Sequence, residues 1–352
     1  MLKIKCLVAG FMAAALCLVL VGTSSAVVYN LRAEATTVTM PDGTVIPVWG
    51  YALDSAPGAG DGQIMVPGPL LTVPLDETDT TLTINLTNKL PRPTSIDIVG
   101  QVMTNNLGPV WTDGLSDSVI SSGFRPPDNY TARMRSFAHE TSPNGTQTYE
   151  WTNVRPGSYI YKSGTNPAMQ VAMGLYGGLI GGSRYSKEVI LFFSEIDPVI
   201  NNAVANGNYG PGLPVSSLID YHPKYFLING KAYPALQPLI AGHANQNILL
   251  RFFNAGLETH VPTLLNMPHM SIVAEDGIRF RYPKRQVTIE LVAGKTVDAV
   301  LQQPHAQGQF SLYDRRLNLT NAGSATPGGM LTALQIQEPL VLVPTYQLLL
   351  LD

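Results

Sequence analysis

The stretch from Thr81 to Leu86 reads TLTINL and alternates polar and apolar side chains along its whole length. Successive side chains of a β-strand point to opposite faces, so Leu82, Ile84 and Leu86 would share one face. The stretch therefore predicts a strand with one buried face and one face toward solvent.

Short runs of the same kind, separated by turn-forming residues, continue on both sides of this stretch. Upstream, the Asp-Gly pair of Pro41–Gly43 predicts a tight turn between Thr37–Met40 and Val45–Trp49, because glycine tolerates positive φ. Further predicted strands are Leu71–Val73, Thr148–Trp151, Gly157–Lys162, Gly174–Ile180, Glu188–Phe193, Tyr225–Asn229, Asn247–Asn254, Ser271–Glu275, Gln286–Leu291, Val297–Leu301, Gln309–Tyr313 and Leu331–Gln337. One short helix is predicted near Asp197–Ala205. This rhythm indicates an all-β sandwich or barrel.

The composition is also that of an all-β extracellular protein. Charged residues make up 13% of the chain, against about 25% in an average soluble domain. Glycine and proline, the main turn formers, number 32 and 27. The formal net charge is −3 and no basic stripe is present, which argues against nucleic acid as a partner.

Residues 1–26 have the pattern of a secretory signal peptide. Lys3 and Lys5 form a basic start, Leu7–Val21 is an apolar run, and Ser24 and Ala26 are small residues at the positions that a signal peptidase reads. The apolar run is short for a membrane span. We therefore expect cleavage near Ala26, no membrane span after cleavage, and a periplasmic or extracellular location. The alternative is an uncleaved N-terminal anchor.

Both cysteines of the chain, Cys6 and Cys17, lie inside this predicted signal peptide. The mature chain would then contain no thiol, although an exported protein could use disulfides. A disulfide framework, a zinc site with cysteine ligands and a thiol nucleophile are excluded. Burial of apolar side chains must stabilise the fold, and about 325 residues suffice for two domains of ordinary size.

Several segments resemble the multicopper oxidases, laccase-like enzymes built from cupredoxin domains. Val66–Leu70 (VPGPL) and Arg155–Ser163 (RPGSYIYKS) resemble segments of their first domain, the latter being a segment that carries copper ligands. Tyr225–Lys231 (YFLINGK), Val273–Gly277 (VAEDG) and Leu291–Ala299 (LVAGKTVDA) resemble segments of their second domain. These resemblances occur in the family's order over nearly the whole predicted mature chain.

The resemblance implies two cupredoxin-like Greek-key β-sandwich domains, at residues 30–182 and 186–340. Residues 341–352 would be a C-terminal tail or a truncated linker. The segment Lys162–Pro167 looks like the bacterial branch that includes large manganese-oxidising enzymes.

The resemblance also assigns copper-ligand positions in the first domain. Family members carry two His-x-His pairs there, because imidazole is a directional ligand for copper. This chain has Asp97 and Val99 at one pair and Lys162 and Gly164 at the other. The remaining pairs and the type 1 cysteine would lie in a further C-terminal domain. We expect degenerate copper positions, in which Asp97 and Lys162 form an ion pair where metal would sit; the alternative is that Lys162 turns out to water and Asp97 bonds only to a nearby loop.

Copper binding elsewhere in the chain is left open. His260, Met267, His269 and Met270 form a cluster of imidazole and thioether groups that could hold Cu(I); the alternative is packing in the core or in a loop. The run Asp314–Arg316 resembles a catalytic charge cluster, and its alternative is a buried or interdomain salt bridge.

These observations favour a multicopper-oxidase-like protein that acts as a non-catalytic binding or assembly subunit, with no cofactor assigned. One alternative is a copper-dependent oxidoreductase, part of an oxidase completed by a separate or missing C-terminal domain. Another is a copper-storage or delivery protein that uses the His/Met cluster. The expected partner is an oxidase chain or a second copy, bound at the first-domain face that carries Asp97 and Lys162.

Overall fold

The computed structural model describes residues 26–74, 80–112, 133–182, 185–267, 269–322 and 327–340. Apart from Ala26, which begins the first strand, the predicted signal peptide lies outside the described residues, as does the predicted tail at 341–352. No helix among the described residues is long and apolar enough to cross a membrane.

The described residues are mostly β-strand, with two short helices. The strands are β1 (Ala26–Thr39), β2 (Val45–Asp54), β3 (Leu71–Val73), β4 (Thr81–Asn88), β5 (Asp97–Ile98), β6 (Val110–Trp111), β7 (Met134–Ser136), β8 (Thr146–Trp151), β9 (Gly157–Lys162), β10 (Tyr176–Gly181), β11 (Glu188–Ile196), β12 (Tyr225–Ile228), β13 (Leu239–His243), β14 (Ile248–Asn254), β15 (Pro262–Leu264), β16 (Met270–Glu275), β17 (Ile278–Gln286), β18 (Thr296–Leu301), β19 (Gly308–Asp314) and β20 (Leu331–Gln337). The helices are α1 (Pro167–Ala172) and α2 (Pro198–Ala205). The predicted all-β class is confirmed.

The N-terminal half, up to residue 182, contains two four-stranded sheets with a shared core. Their strand orders are β2-β1-β4-β8 and β3-β10-β9-β5. Leu82, Ile84 and Leu86 are fully buried in that core, whereas Thr83 and Asn85 between them are partly exposed. The alternation in TLTINL therefore places the apolar side chains in the core and the polar ones toward solvent, as predicted.

The C-terminal half, from residue 185 to 340, repeats this plan with larger sheets. A six-stranded sheet has the order β12-β11-β14-β18-β16-β17, and a four-stranded sheet has the order β13-β20-β19-β15. Strand β14 is buried at every position, as expected for a strand in the middle of a sheet covered on both faces. The division proposed at 182–186 falls between β10 and β11.

Apolar side chains from both halves pack together at the seam between them. One cluster contains Met40, Ile46, Val48, Ile196, Tyr225 and Leu227. The other contains Ile160, Tyr176, Ile180, Phe192 and Phe253. The halves thus share buried apolar surface, which stabilises their mutual arrangement.

Two glycines permit a close approach of backbone across this seam. Gly157 of β9 has φ +134°, and a Cβ there would lie 2.5 Å from the Cα of Gly277. A Cβ on Gly277 would in turn collide with the ring of Tyr159. Side chains at either position would therefore push the two halves apart.

The predicted short helix is confirmed, and one predicted strand is wrong. The Asp197 side chain caps α2 by accepting a hydrogen bond from the Val199 N–H at 2.9 Å. Gln286–Leu291 is not a continuous strand: apart from Gln286 at the end of β17, it makes only isolated bridges through Thr288 and Leu291. The strand lies earlier, in the charged stretch of β17.

Candidate functional site

The predicted ion pair between Asp97 and Lys162 is present. The antiparallel strands β5 and β9 place these two residues directly opposite each other. The distance from Lys162 Nζ to Asp97 Oδ2 is 3.8 Å, and the side chains are 20% and 30% exposed, respectively. The pair is thus partly buried, and water screens its attraction less than it would at a fully exposed site.

Burial dominates the electrostatics of Asp97. Loss of hydration raises the pKa of its carboxyl group above the usual value, and the positive charge of Lys162 only partly offsets this effect. Lys162 also lies over the ring of Phe137, 5.8 Å from its centroid. The ammonium group therefore has two partners, a carboxylate and an aromatic face.

The structure brings a third predicted ligand position, Gly164, next to this pair. A Cβ at Gly164 would lie 3.4 Å from the Cβ of Asp97 and 2.9 Å from the Oγ of Ser95. The fourth position, Val99, is 56% exposed and lies in the turn after β5. Because β5 ends at Ile98, the alternation that would turn Val99 to the same side as Asp97 does not continue.

A buried cluster of hydroxyl groups lies beside these positions. Thr165 Oγ1 donates to Ser95 Oγ at 3.0 Å and approaches Ser136 Oγ at 2.9 Å, and the two serine oxygens are 3.1 Å apart. All three side chains are fully buried. The residues are far apart in sequence and belong to common polar types, so no sequence pattern pointed to this cluster.

The residues at the predicted ligand positions do not fit a copper ion held by imidazoles. They supply one carboxylate, which already faces an ammonium group, and no ring nitrogen. A side chain as large as histidine at Gly164 would displace Ser95 from the hydroxyl cluster. These four positions therefore do not form a copper site of the family's kind.

The sequence cluster of His and Met residues is split between three environments. His260 is fully buried between two carboxylates: its Nε2 is 3.0 Å from Glu195 Oε2, and its Nδ1 is 3.2 Å from Asp314 Oδ2. Burial alone would lower the pKa of His260, but the hydrogen bonds and negative charges of Asp314 and Glu195 raise it to about 9. Both ring nitrogens are therefore occupied, and His260 is a charged structural link.

Met267 and His269 line a different place, a cavity of about 380 Å³ that also contains His305. Met270 is buried in the core of the C-terminal half. Among the described residues, no group of three or more His, Cys, Asp or Glu side chains is arranged to hold a metal ion.

The Asp314–Arg316 run contributes salt bridges. Asp314 pairs with His260, and its other carboxylate oxygen accepts hydrogen bonds from the Val261 and Arg316 N–H groups. The guanidinium group of Arg316 pairs with Glu258 at 2.8 Å on the surface. These contacts agree with the interpretation of Asp314–Arg316 as a source of salt bridges.

A second buried network, which the sequence did not reveal, crosses the seam. Arg251 forms two hydrogen bonds with Glu188, at 2.9 and 3.1 Å, and one with Asp298 at 2.9 Å. Ser158, from the N-terminal half, donates to Asp298 at 2.6 Å and accepts from Arg251 at 2.8 Å. This network links the halves by charge-assisted hydrogen bonds.

The family model described as "Multicopper oxidase" matches residues 201–336, most of the C-terminal half. This half of the chain is therefore similar to the multicopper oxidases in sequence. No curated protein sequence matches it.

Solved multicopper oxidase structures share the fold at low sequence identity. The blue copper oxidase from Nitrosomonas europaea has 21% identity and a TM-score of 0.65, over 89% of this chain and 86% of that protein. The multicopper oxidase mgLAC has 20% identity and a TM-score of 0.67, over 93% and 92%. The laccase from Botrytis aclada has 18% identity and a TM-score of 0.59, over 92% of this chain and 55% of that protein. At these identities the likeness establishes the cupredoxin fold.

Proposed function

We propose that this chain is an exported multicopper-oxidase-like protein that acts as a non-catalytic binding or assembly subunit. One observation carries the proposal: Asp97 and Lys162 form an ion pair at positions where the resemblance implies copper ligands. A carboxylate already neutralised by an ammonium group is a poor ligand for a cation, and a protonated amine has no free lone pair. The pair therefore replaces coordination at this place.

The absence of a thiolate in the predicted mature chain supports the same proposal. A type 1 copper site requires a cysteine thiolate, and the two cysteines of the chain, Cys6 and Cys17, lie in the predicted signal peptide. Residues 27–352 therefore supply no thiolate ligand for a type 1 copper. The proposed role is therefore recognition of a partner, at the face that carries Asp97 and Lys162.

Export is part of the proposal and has its own test. Cleavage near Ala26 would leave a chain that starts at about Val27, close to the beginning of β1. Intact-mass measurement of the protein from the periplasmic or secreted fraction should give the cleaved mass. Full-length protein in the membrane fraction would contradict export.

The catalytic part of the proposal is tested by dioxygen consumption. The chain is loaded with copper, desalted and incubated separately with a phenol and with Mn(II), beside a copper-loaded laccase as the positive control. We expect no consumption above that of the copper-free chain. Sustained turnover that depends on the loaded copper would overturn the non-catalytic assignment.

A further inference from the structure

The edge strand β17 concentrates exposed positive charge. Arg279, Arg281, Lys284 and Arg285 are four of the 22 Lys and Arg residues of a chain whose net charge is −3. All four are exposed, and we call them the cationic edge. Lys284 lies 3.9 Å from Glu275. Among the described residues, the three arginines of the cationic edge form no ion pair within 4.0 Å.

Protection of a sheet edge explains part of this pattern. Strand β17 ends the six-stranded sheet, and charged side chains together with Pro283 hinder pairing with a further strand. Edge protection does not explain two exposed side chains on the same strand, Ile278 (69% exposed) and Tyr282 (74% exposed). Neither is charged, so neither hinders pairing with a further strand. The guanidinium group of Arg281 lies 5.5 Å from the centroid of the Tyr282 ring. Arginine beside exposed tyrosine is typical of the energetic centre of a protein–protein interface.

A cavity of about 190 Å³ adjoins the cationic edge at the seam between the halves. Arg279 forms part of its wall, together with Arg251, Leu249 and Gly157. Arg251 already satisfies Glu188 and Asp298, whereas Arg279 has no such pair. The cavity therefore offers an anchoring side chain both apolar walls and the guanidinium group of Arg279, whose charge acts on Asp298 without forming an ion pair within 4.0 Å among the described residues.

We propose that the cationic edge and this cavity form the docking surface for an acidic, tyrosine- or leucine-containing segment of a partner protein. Carboxylates of that segment pair with Arg279, Arg281 and Arg285, while an apolar side chain fills the cavity. The proposal goes beyond the proposed function and does not depend on it. The cationic edge belongs to the C-terminal half, and residues of both halves line the cavity beside it.

The exposed apolar side chains favour a protein partner over an anionic polysaccharide. A sulfated polysaccharide would neutralise the arginines but would leave the apolar wall of the cavity at Leu249 in contact with water. A peptide segment can cover both kinds of group at once. Charge steering by the cationic edge would speed the encounter and make it sensitive to salt.

The test measures binding of a fluorescein-labelled peptide of alternating glutamate and tyrosine to the purified full chain, by fluorescence anisotropy. The variant R279Q/R281Q/R285Q removes three charges of the cationic edge. The matched control K89Q/K224Q/K231Q removes three exposed cations elsewhere on the surface. We expect the first variant to raise Kd by about tenfold or more and the control to leave it nearly unchanged. Unchanged thermal unfolding of both variants verifies that the fold is retained.

Two results would overturn the proposal. Equal weakening by both triple variants would show that the peptide responds to overall charge and not to this surface. Tight binding of heparin at the cationic edge, with no measurable binding of the peptide, would assign the surface to polysaccharides. Neither result bears on copper loading or dioxygen consumption, so failure here is distinguishable from failure of the proposed function.

Discussion

Asp97 and Lys162 face each other across two antiparallel strands, with the ammonium nitrogen 3.8 Å from a carboxylate oxygen. The resemblance to multicopper oxidases implies copper ligands at both positions. Direct pairing in register explains the contact: residues opposite each other on neighbouring strands have side chains within reach. This ion pair is the observation on which the proposed function rests.

Replacement of Lys162 by a neutral residue should raise the pKa of Asp97 and lower the stability of the fold. In Lys162→Met we expect the pKa of Asp97, already raised by burial, to rise further because its compensating charge is gone. The free energy of unfolding at neutral pH should fall by about 1 kcal/mol, as expected for a partly exposed pair. The measurements are an NMR titration of the Asp97 carboxyl and urea denaturation.

Lys284→Met is the matched control, because Lys284 lies 3.9 Å from Glu275 and its side chain is 54% exposed. Its loss should change stability by close to zero, within the range of about 0–1 kcal/mol for surface pairs. An unchanged pKa of Asp97 in Lys162→Met would refute the electrostatic account of the pair.

Stability should decline in mildly alkaline solution because of His260. Its pKa in the folded chain is about 9, above about 6.5 in an unfolded chain. The stabilisation from its proton is therefore fully present below about pH 6.5 and is lost as pH rises through about 9. A difference of about 2.5 pKa units corresponds to on the order of 3 kcal/mol. Urea denaturation at a series of pH values measures the loss.

In His260→Gln the loss of stability between about pH 6.5 and 9 should disappear. If this variant fails to fold, NMR titration of the His260 ring in the unaltered chain measures the pKa directly. At the acid end, the lowered pKa of Asp314 predicts a separate loss of stability as that carboxylate gains a proton. An imidazole ring that titrates near its ordinary pKa would contradict the buried imidazolium.

Arg251→Met should be severely destabilising. The change leaves the carboxylates of Glu188 and Asp298 without their shared guanidinium partner in a buried setting. Removing one partner from a buried ionic network typically costs about 3–5 kcal/mol. Arg316→Met, which breaks an exposed pair with Glu258, should cost about 0–1 kcal/mol. Equal effects of the two variants in urea denaturation would disprove the seam network.

The strands with regular alternation or plentiful β-formers could be predicted from the sequence. TLTINL at β4 and GSYIYK at β9 show this clearly, since their apolar side chains are buried in the structure. Strand β17 could not, because its sequence IRFRYPKRQ is charged and contains proline. It is a strand because its neighbour β16 supplies hydrogen-bond partners at the sheet edge, which is a tertiary effect that outweighs local preference.

The candidate site was predictable only where two residues face each other in a known register. The contact of Asp97 with Lys162 followed from the resemblance, and Gly164 also lies beside Asp97. The two carboxylate partners of His260, Glu195 and Asp314, lie far from it in sequence and on different strands, so no local spacing could connect them. Histidine and methionine residues that are close in sequence suggested one metal cluster. In the structure His260 lies between two carboxylates, His269 lines a cavity and Met270 lies in the core.

Copper content per chain tests the central claim most directly. The mature chain is incubated with excess copper and reductant, reoxidised, desalted and analysed by inductively coupled plasma mass spectrometry and visible absorption. The account predicts that the unaltered chain and Asp97→Ala retain the same small, substoichiometric amount of copper, with no intense visible band. Stoichiometric copper that is lost in Asp97→Ala, or an intense thiolate-to-copper band, would contradict the claim that an ion pair has replaced the metal.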